Sequence, residues 1–403
     1  MKVINKKGAI TVPRGFKAAG VHCGIKGKRT LDVALIFSEK KARAAAVFTT
    51  NKVKAWPVLI GQKHLLAPFH RAIIVNSGNA NCSNGVKNKE KVKKICQLLA
   101  RLLNIKGYEI FPSSTGVIGR DFPHKKVTSC IPLLIKKLSR TKGHEAAQAI
   151  LTTDTKTKEA TVSFSIGGKT ATLSVMAKGA GMLHPNMATM LIFMTTDVNI
   201  SKQLLKEALK IVTTRTFNMI NVDNDMSTND TLLILANGAA GNICIKKKGK
   251  DFFHFLKALG MISYYIAKEI VRDGEGVTKV CEIHIQGAHN TDQAKQAARA
   301  LADSMLFKTA LHGADPNWGR IVAALGAQKK LKCDFTGLTI MVGRYPVLKK
   351  GKPYSHNLKN ARAELKKKEV HFTIDLACGK AYADCITSDL TKKYIEINAK
   401  YTT

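Results

Sequence analysis

Between residues 178 and 197 the chain reads Lys-Gly-Ala-Gly-Met-Leu-His-Pro-Asn-Met-Ala-Thr-Met-Leu-Ile-Phe-Met-Thr-Thr-Asp, and no other stretch constrains the fold as much. Gly179, Gly181 and Pro185 permit or impose backbone angles that ordinary residues avoid, so the residues before Ala188 are expected to form a tight, strained loop. Met190 to Met194 is an uninterrupted apolar run of strand length, which predicts a core strand directly after it. Thr189 then stands where the loop meets the sheet, on a rigid support. A threonine hydroxyl held there can attack the carbonyl that precedes it, break the Ala188–Thr189 bond and leave Thr189 with a free α-amine. Threonine is a weak nucleophile without a base, and an α-amine titrating near pH ~8 supplies one. On these residues alone, a glycine-rich loop entering a core strand is the commoner arrangement.

The rest of the chain changes that balance. Lys-Gly-Ala-Gly-Met-x-x-Pro-Asn-Met-Ala-Thr-Met-Leu, residues 178–191, resembles the processing site of the ornithine acetyltransferases (glutamate N-acetyltransferases) of the cyclic arginine pathway. Further blocks resemble the same family in the same order: Thr11 to Val21, Val75-Asn-Ser-Gly-Asn-Ala-Asn81, Ser114-Thr-Gly-Val-Ile-Gly119, Thr152-Thr-Asp-Thr155, Ser227-Thr-Asn-Asp-Thr231, Arg272-Asp-Gly-Glu-Gly276, His312 to Ile321 and the terminal Ile397 to Thr403. Several spaced blocks in one order are far more specific than one motif.

The resemblance implies a self-processing acetyltransferase. Residues 1–188 become an α chain and 189–403 a β chain that begins with the nucleophile, and the two pair twice as a heterotetramer. Thr189 is implied as the catalytic nucleophile, with Thr115 hydroxyl and Gly116 N–H as donors to the oxyanion of the tetrahedral intermediate. Thr152, Lys178, Thr189, Glu275, Asn398 and Thr403 are implied to line the substrate site, Lys178 as a carboxylate partner and Glu275 for the ornithine ammonium. The implied cycle is ping-pong: N-acetylornithine acetylates Thr189 and leaves as ornithine, and glutamate takes the acetyl group. Covalent storage of the acetyl group calls for no cofactor and no metal, and acetyl-CoA stays open as a second donor.

Other features are read structurally. His312 to Arg320 and Asn229-Asp230 are polar enough for a second centre, but Pro316 and Gly319 shape a loop that Asp315 and Arg320 are expected to brace, with shaping of the pocket as the lesser alternative. His184 lies closest to the nucleophile in sequence, without a Ser/His/Asp order. Gly24-Ile-Lys-Gly-Lys-Arg-Thr30 is too short for a phosphate-binding P-loop. Departures from the family pattern fall at Asn224, Met226, Phe307 and Asp384 to Ser388.

Composition bears on the alternatives. A net charge of +37 over 403 residues fits an enzyme least comfortably and raises a non-enzymatic polyanion binder, with Lys246 to Lys248, Lys349-Lys350 and Lys366 to Lys368 as phosphate contacts. The lysines are dispersed and no aromatic platform or nucleic-acid motif accompanies them, so a solvated basic surface is the better reading and no nucleic-acid partner is expected. A hydrolase with the same N-terminal threonine, an amidohydrolase or aminopeptidase, is the other alternative. No apolar run approaches the roughly 18 residues of a spanning helix, which predicts no membrane association and a cytoplasmic enzyme. Nine scattered cysteines without a Cys-x-x-Cys pair predict thiols rather than a disulfide framework.

Strands are predicted at Leu31 to Phe37, Ala72 to Val75, Thr161 to Ile166, Ala171 to Met176 and Thr231 to Ala236, and helices at Asn88 to Leu103, after a Ser201 cap, at Phe252 to Val271 and at Asp292 to Met305. Without strict alternation of the two, the fold class is α/β of the α+β type, with mixed sheets packed against helices and no doubly wound sheet.

Overall fold

The computed structural model describes residues 1–27, 29–183 and 190–400. Among them the strands are β1 (Val3–Asn5), β2 (Phe16–Val21), β3 (Val33–Phe48), β4 (His70–Asn79), β5 (Ile110–Val117), β6 (Lys158–Ile166), β7 (Lys169–Lys178), β8 (Leu191–Thr196), β9 (Ile220–Asn221), β10 (Thr231–Ala236), β11 (Val280–Ala288), β12 (Thr339–Val342), β13 (Tyr345–Lys349), β14 (Lys352–Pro353), β15 (Glu369–Asp375) and β16 (Ala381–Ser388). The helices are α1 (Trp56–His64), α2 (Lys87–Leu103), α3 (His124–Lys136), α4 (Gly143–Ala149), α5 (Lys202–Arg215), α6 (Lys250–Arg272), α7 (Thr291–Asp303), α8 (Met305–His312), α9 (Trp318–Gly326), α10 (Leu358–Leu365) and α11 (Lys392–Lys400).

The first sheet runs in the order β1-β6-β7-β8-β10-β3-β4-β5, with β2 also paired to β3. Its organising strand is β3. Residues 43–48 of β3 pair with β10, whereas residues 33–38 pair with β2 and 33–37 with β4, and the register shifts between Phe37 and Ala42. One long strand thus carries the sheet around a bend, and the two halves pack face to face. Side-chain alternation shows the layering. In β8, Ile192 and Met194 belong to a core shared with α5 and α6, while Leu191 and Phe193 belong to a second core facing β2, β3 and β4. The outer face of that other half is closed by α2 and α3 through Val92, Ile95, Leu99, Val127 and Ile131. Helix, sheet, sheet, helix is the resulting stack. Each fully buried apolar side chain in it contributes ~1.5–3 kcal/mol, which is why β8, buried at every residue and apolar from Leu191 to Met194, sits between β7 and β10 and not at an edge.

The second sheet, β14-β13-β12-β15-β11-β16-β9, is covered by α7, α8, α9 and α10 around its own core of Ile283, Ile285, Leu301, Phe307 and Phe372. The mixed α/β class is as expected.

Three expectations need correction. The strand at Leu31 to Phe37 continues to Phe48, through Lys40, Lys41 and Arg43, whose charges disguise a strand that has one solvated edge. Asp292 to Met305 is not one helix: it breaks at Ser304, whose Oγ accepts the Phe307 N–H and caps α8. Cys23 and Cys130 are joined in a disulfide, with Cα atoms 5.9 Å apart, where free thiols were expected. They stand 107 residues apart in sequence, and only the packing of α3 beneath residues 22–25 brings them together. The other seven are thiols, Cys82 among them as buried filler.

Candidate functional site

A cavity of about 180 Å³ opens where the ends of β5 and β7, the 152–153 turn, the 223–229 loop, the residues after α6 and α11 meet. Thr115, Gly116, Thr152, Lys178, Glu275 and Asn398, the described residues that the resemblance singled out, all line it. Ala188, Thr189, His184 and Thr403 lie outside the described residues.

Thr115 and Gly116 sit on a local irregularity. The parallel pairing of β4 with β5 loses register at Gly78 and Asn79, and Asn79 opposes both Thr115 and Val117. Gly116 takes φ +127°, and a Cβ there would overlap the backbone of Gly78 and Asn79, so only glycine fits. Asn229 holds the same end of β5: its Nδ2 donates to Ser114 O at 2.8 Å and to Ala80 O at 2.7 Å. Asn229, read from sequence as mainly structural, therefore has a place in the cavity wall.

Lys178 ends β7 and is 3 % exposed. Its ammonium donates to Thr115 Oγ1 at 3.3 Å and lies 3.9 Å from Asp154 Oδ2. Asp154, whose side chain is buried, also accepts from Lys158 Nζ at 2.7 Å, Gly179 N at 2.7 Å and Thr152 N at 3.2 Å. Lys158, equally buried, bridges on to Asp273, which accepts the Thr155 N–H at 3.1 Å. Burial alone would raise the Asp154 pKa, but Lys178 and Lys158 outweigh it and hold the carboxyl well below the usual range. Burial pulls the Lys178 ammonium down, with Asp154 opposing. Asp154 is a charge partner of Lys178 that the sequence reading passed over, although it stands inside the Thr152 to Thr155 block.

Glu275 faces this pair from the far side. Its backbone N–H donates to Ala180 O at 3.0 Å, and Oε2 accepts Asn398 Nδ2 at 2.9 Å. Gly181 makes room for it, since a Cβ at 181 would lie 2.7 Å from Glu275 Oε2. That is a clearance role rather than the special backbone angle expected of this glycine. The left-handed φ of +54° falls instead on Met182.

Two more aspartates grip the chain on either side of residues 184–189. Asp223 accepts the Met182 and Leu183 N–H groups, each at 2.7 Å, and Asp230 accepts the Met190 N–H at 2.8 Å. Burial raises both carboxyls, that of Asp230 strongly, against the opposing pull of those N–H groups. Asp230 Oδ2 has no hydrogen-bond partner among the described residues.

The remaining motifs lie elsewhere. His312 hydrogen-bonds Asp389 at 3.0 Å. The expected Asp315–Arg320 brace is not formed: Arg320 donates to Leu306 O and Thr309 Oγ1, and Asp315 accepts from Asn317. Arg320 thereby ties α9 to α8. Asn224, Met226, Phe307 and Asp384 to Ser388, the departures from the family pattern, are absent from the cavity lining. Lys246 to Lys248, Lys349-Lys350 and Lys366 to Lys368 are all exposed. Among the described residues no His, Cys, Asp and Glu cluster could hold a metal ion, and no helix is long and apolar enough to cross a membrane.

Comparison with known proteins places the chain among enzymes of arginine biosynthesis. The ArgJ family profile matches residues 17–403. An arginine biosynthesis bifunctional protein ArgJ from Thermotoga neapolitana is 44% identical over 398 residues, covering 97% of this chain and all of that one. Its counterpart from Caldanaerobacter subterraneus is 42% identical over 400 residues, covering 98% and 99%. A crystal structure of the ArgJ bifunctional protein from Bacillus halodurans is 38% identical with a TM-score of 0.50, and the match covers 52% of this chain and 98% of that chain. The chain belongs to the ArgJ family, and the acetyltransferase of arginine biosynthesis expected from its motifs is the function that membership carries.

Proposed function

We propose that the chain cuts itself between Ala188 and Thr189 and then uses Thr189 to carry an acetyl group from N-acetylornithine to glutamate. The observation that carries this reading is the cavity itself, which joins Thr115, Gly116, Lys178 and Glu275 to Met182 and Asp223 at the gripped start of the 184–189 segment. In the first half-reaction the Thr189 hydroxyl adds to the acetyl carbonyl, and the α-amine of the same residue takes the hydroxyl proton. Negative charge gathers on the carbonyl oxygen, where the Thr115 hydroxyl and the Gly116 N–H act as donors. Collapse breaks the C–N bond, ornithine leaves with the returned proton, and glutamate reverses the sequence. Thr152, Lys178, Glu275, Asn398 and Thr403 line the substrate site, with Glu275 facing the ornithine ammonium.

Residues 1–188 form the α chain and 189–403 the β chain. The solved relative supports this division, because its whole chain corresponds to a share of ours close to that of residues 189–403. Pairing across the cut keeps the pieces together: Lys178 of β7 opposes Leu191 of β8, and β8 is flanked on its other side by β10. Two such pairs make a cytoplasmic heterotetramer that works without a cofactor, with acetyl-CoA as a second acetyl donor.

The test is expression of wild type and Thr189→Ala, followed by a denaturing gel, N-terminal sequencing and incubation with N-acetylornithine. A wild-type fragment that begins at Thr189 and gains the mass of one acetyl group, both absent from the variant, is expected. A single uncut wild-type chain with full transferase activity overturns the mechanism, and release of acetate in place of acetylglutamate makes the protein a hydrolase.

A further inference from the structure

Two of the seven thiols stand as a pair. The Sγ atoms of Cys333 and Cys378 lie 2.9 Å apart, and both face the same acceptor, Leu376 O, at 3.4 and 3.0 Å. Cys333 belongs to the connection between α9 and β12, and Cys378 to the turn between β15 and β16. A glycine lets these segments meet: a Cβ at Gly337 would lie 2.7 Å from Ala377 Cβ, so the close approach holds only while residue 337 has no side chain. Both cysteines are half-buried and within reach of a small molecule, whereas Cys82, Cys96, Cys281 and Cys385 are buried. Neither sulfur lines the cavity, which separates the pair from acetyl transfer.

We propose that Cys333 and Cys378 are an oxidative modification site, at which a low-molecular-weight disulfide such as oxidised glutathione closes a reversible bridge that staples the α9–β12 connection to the β15–β16 turn. In the first exchange the Cys333 thiolate attacks one sulfur of the oxidant. The oxidant's S–S bond breaks, and one small thiol leaves with the proton that Cys333 gave up. In the second, Cys378 loses its proton and attacks Cys333 Sγ, and the other small thiol leaves with that proton. Two protein thiols are oxidised while one small disulfide is reduced to two thiols. Burial and the adjoining Cys333 sulfur push the Cys378 thiol up to about 11, which makes Cys333 the first nucleophile. The two positions are 45 residues apart in sequence, so closing the bridge restricts the unfolded chain. Both follow residue 188, whereas Cys23 and Cys130 precede it, and each proposed fragment then carries a bridge of its own.

The experiment uses the full-length protein, reduced with dithiothreitol and then either kept reduced or incubated with oxidised glutathione, alkylated and digested with trypsin. The expected product is the tryptic peptide 333–344 linked to 369–380, formed with oxidised glutathione and lost on reduction. Cys378→Ser is expected to stop at a glutathione adduct on Cys333, and Cys333→Ser to leave Cys378 open to alkylation. On heating after oxidation, the transferase activity of wild type is expected to decay with a half-life about threefold longer than that of Cys378→Ser, a gap that closes in the reduced samples. Alkylation of both cysteines after the oxidant, or glutathione retained on either of them in wild type, overturns the bridge, and equal half-lives overturn the staple. Where a serine variant does not fold, the wild-type digest decides alone, and it depends neither on the cut at residue 188 nor on acetyl transfer.

Discussion

Asp230 accepts the backbone N–H of Met190 at 2.8 Å, two residues beyond Ala188 and directly after Thr189. A fully buried carboxylate thus fixes the peptide unit adjoining the proposed nucleophile, while β10, which begins at Thr231, anchors that carboxylate in the sheet. Replacing Asp230 by alanine strands a buried N–H at a cost of about 1–3 kcal/mol. Cleavage in Asp230→Ala is expected to slow by roughly five- to a hundredfold, and Asp230→Asn, which keeps an acceptor oxygen, is expected to cut faster than the alanine variant. Gel densitometry of cut against uncut chain over time checks this, and equal rates for the two would show that the hydrogen bond is idle.

Gly116 cannot accept a side chain without moving β4. Gly116→Ala is expected to lower kcat by at least ~10²-fold, the loss typical of a displaced oxyanion donor. Circular dichroism and a thermal melt on the same sample separate this from misfolding, and a variant with wild-type kcat would remove Gly116 from the site.

Gly181 keeps clear of Glu275, so adding one methyl group at 181 should push the carboxylate away from Asn398. For Gly181→Ala we expect KM for N-acetylornithine to rise by about tenfold, worth ~1.4 kcal/mol, with a smaller change for glutamate. Equal changes for the two substrates would dissociate Glu275 from ornithine recognition.

Lys308 offers a pH test away from the cavity. Burial pulls its ammonium from the ordinary 10.5 down to about 8, and its Nζ is held by Thr387 and Ser388. Between these values the unfolded chain holds the proton and the folded one has released it, so stability conferred at this position rises as pH rises from about 8 to 10.5. Lys308→Met removes that dependence. Its unfolding free energy relative to wild type is therefore expected to drop by up to about 3 kcal/mol between pH 7.5 and 10.5. Urea titrations at both pH values measure it, and a constant difference would mean the lysine does not titrate there.

Much of the first sheet was legible because its signals are local. Thr231 to Ala236 is a run of aliphatic and β-branched residues and forms a strand over those very residues, and Ser201 caps α5 through Leu204 N as its type suggested. The second sheet escaped notice for a physical reason: β15 alternates exposed Glu369 and His371 with buried Val370 and Phe372, a half-solvated pattern without an apolar run. Leu102 has the helical spacing of the apolar stripe of Val92, Ile95 and Leu99 in α2, yet it is 44% exposed, because the helix packs through a narrower stripe than its leucines suggest. Site residues that match spaced motifs could be named from sequence. Asp154 and Asp223 could not, and Asp230 was named only as a structural residue, since a carboxylate is by default a surface group and only the fold reveals that N–H groups and lysines compensate its burial.

The course of β8 between β7 and β10 has a consequence for the life of the processed protein. A cut at residue 188 would leave a central strand beginning at a free terminus, with its neighbours supplied by both fragments. Covalent continuity is then needed only once, to bring β7 and β8 together at intramolecular concentration while the chain folds. Afterwards, unfolding would release two separate polypeptides whose reunion is bimolecular. The mature enzyme would persist through a slow rate of opening, and heat or denaturant would inactivate it for good where the uncut chain could still recover.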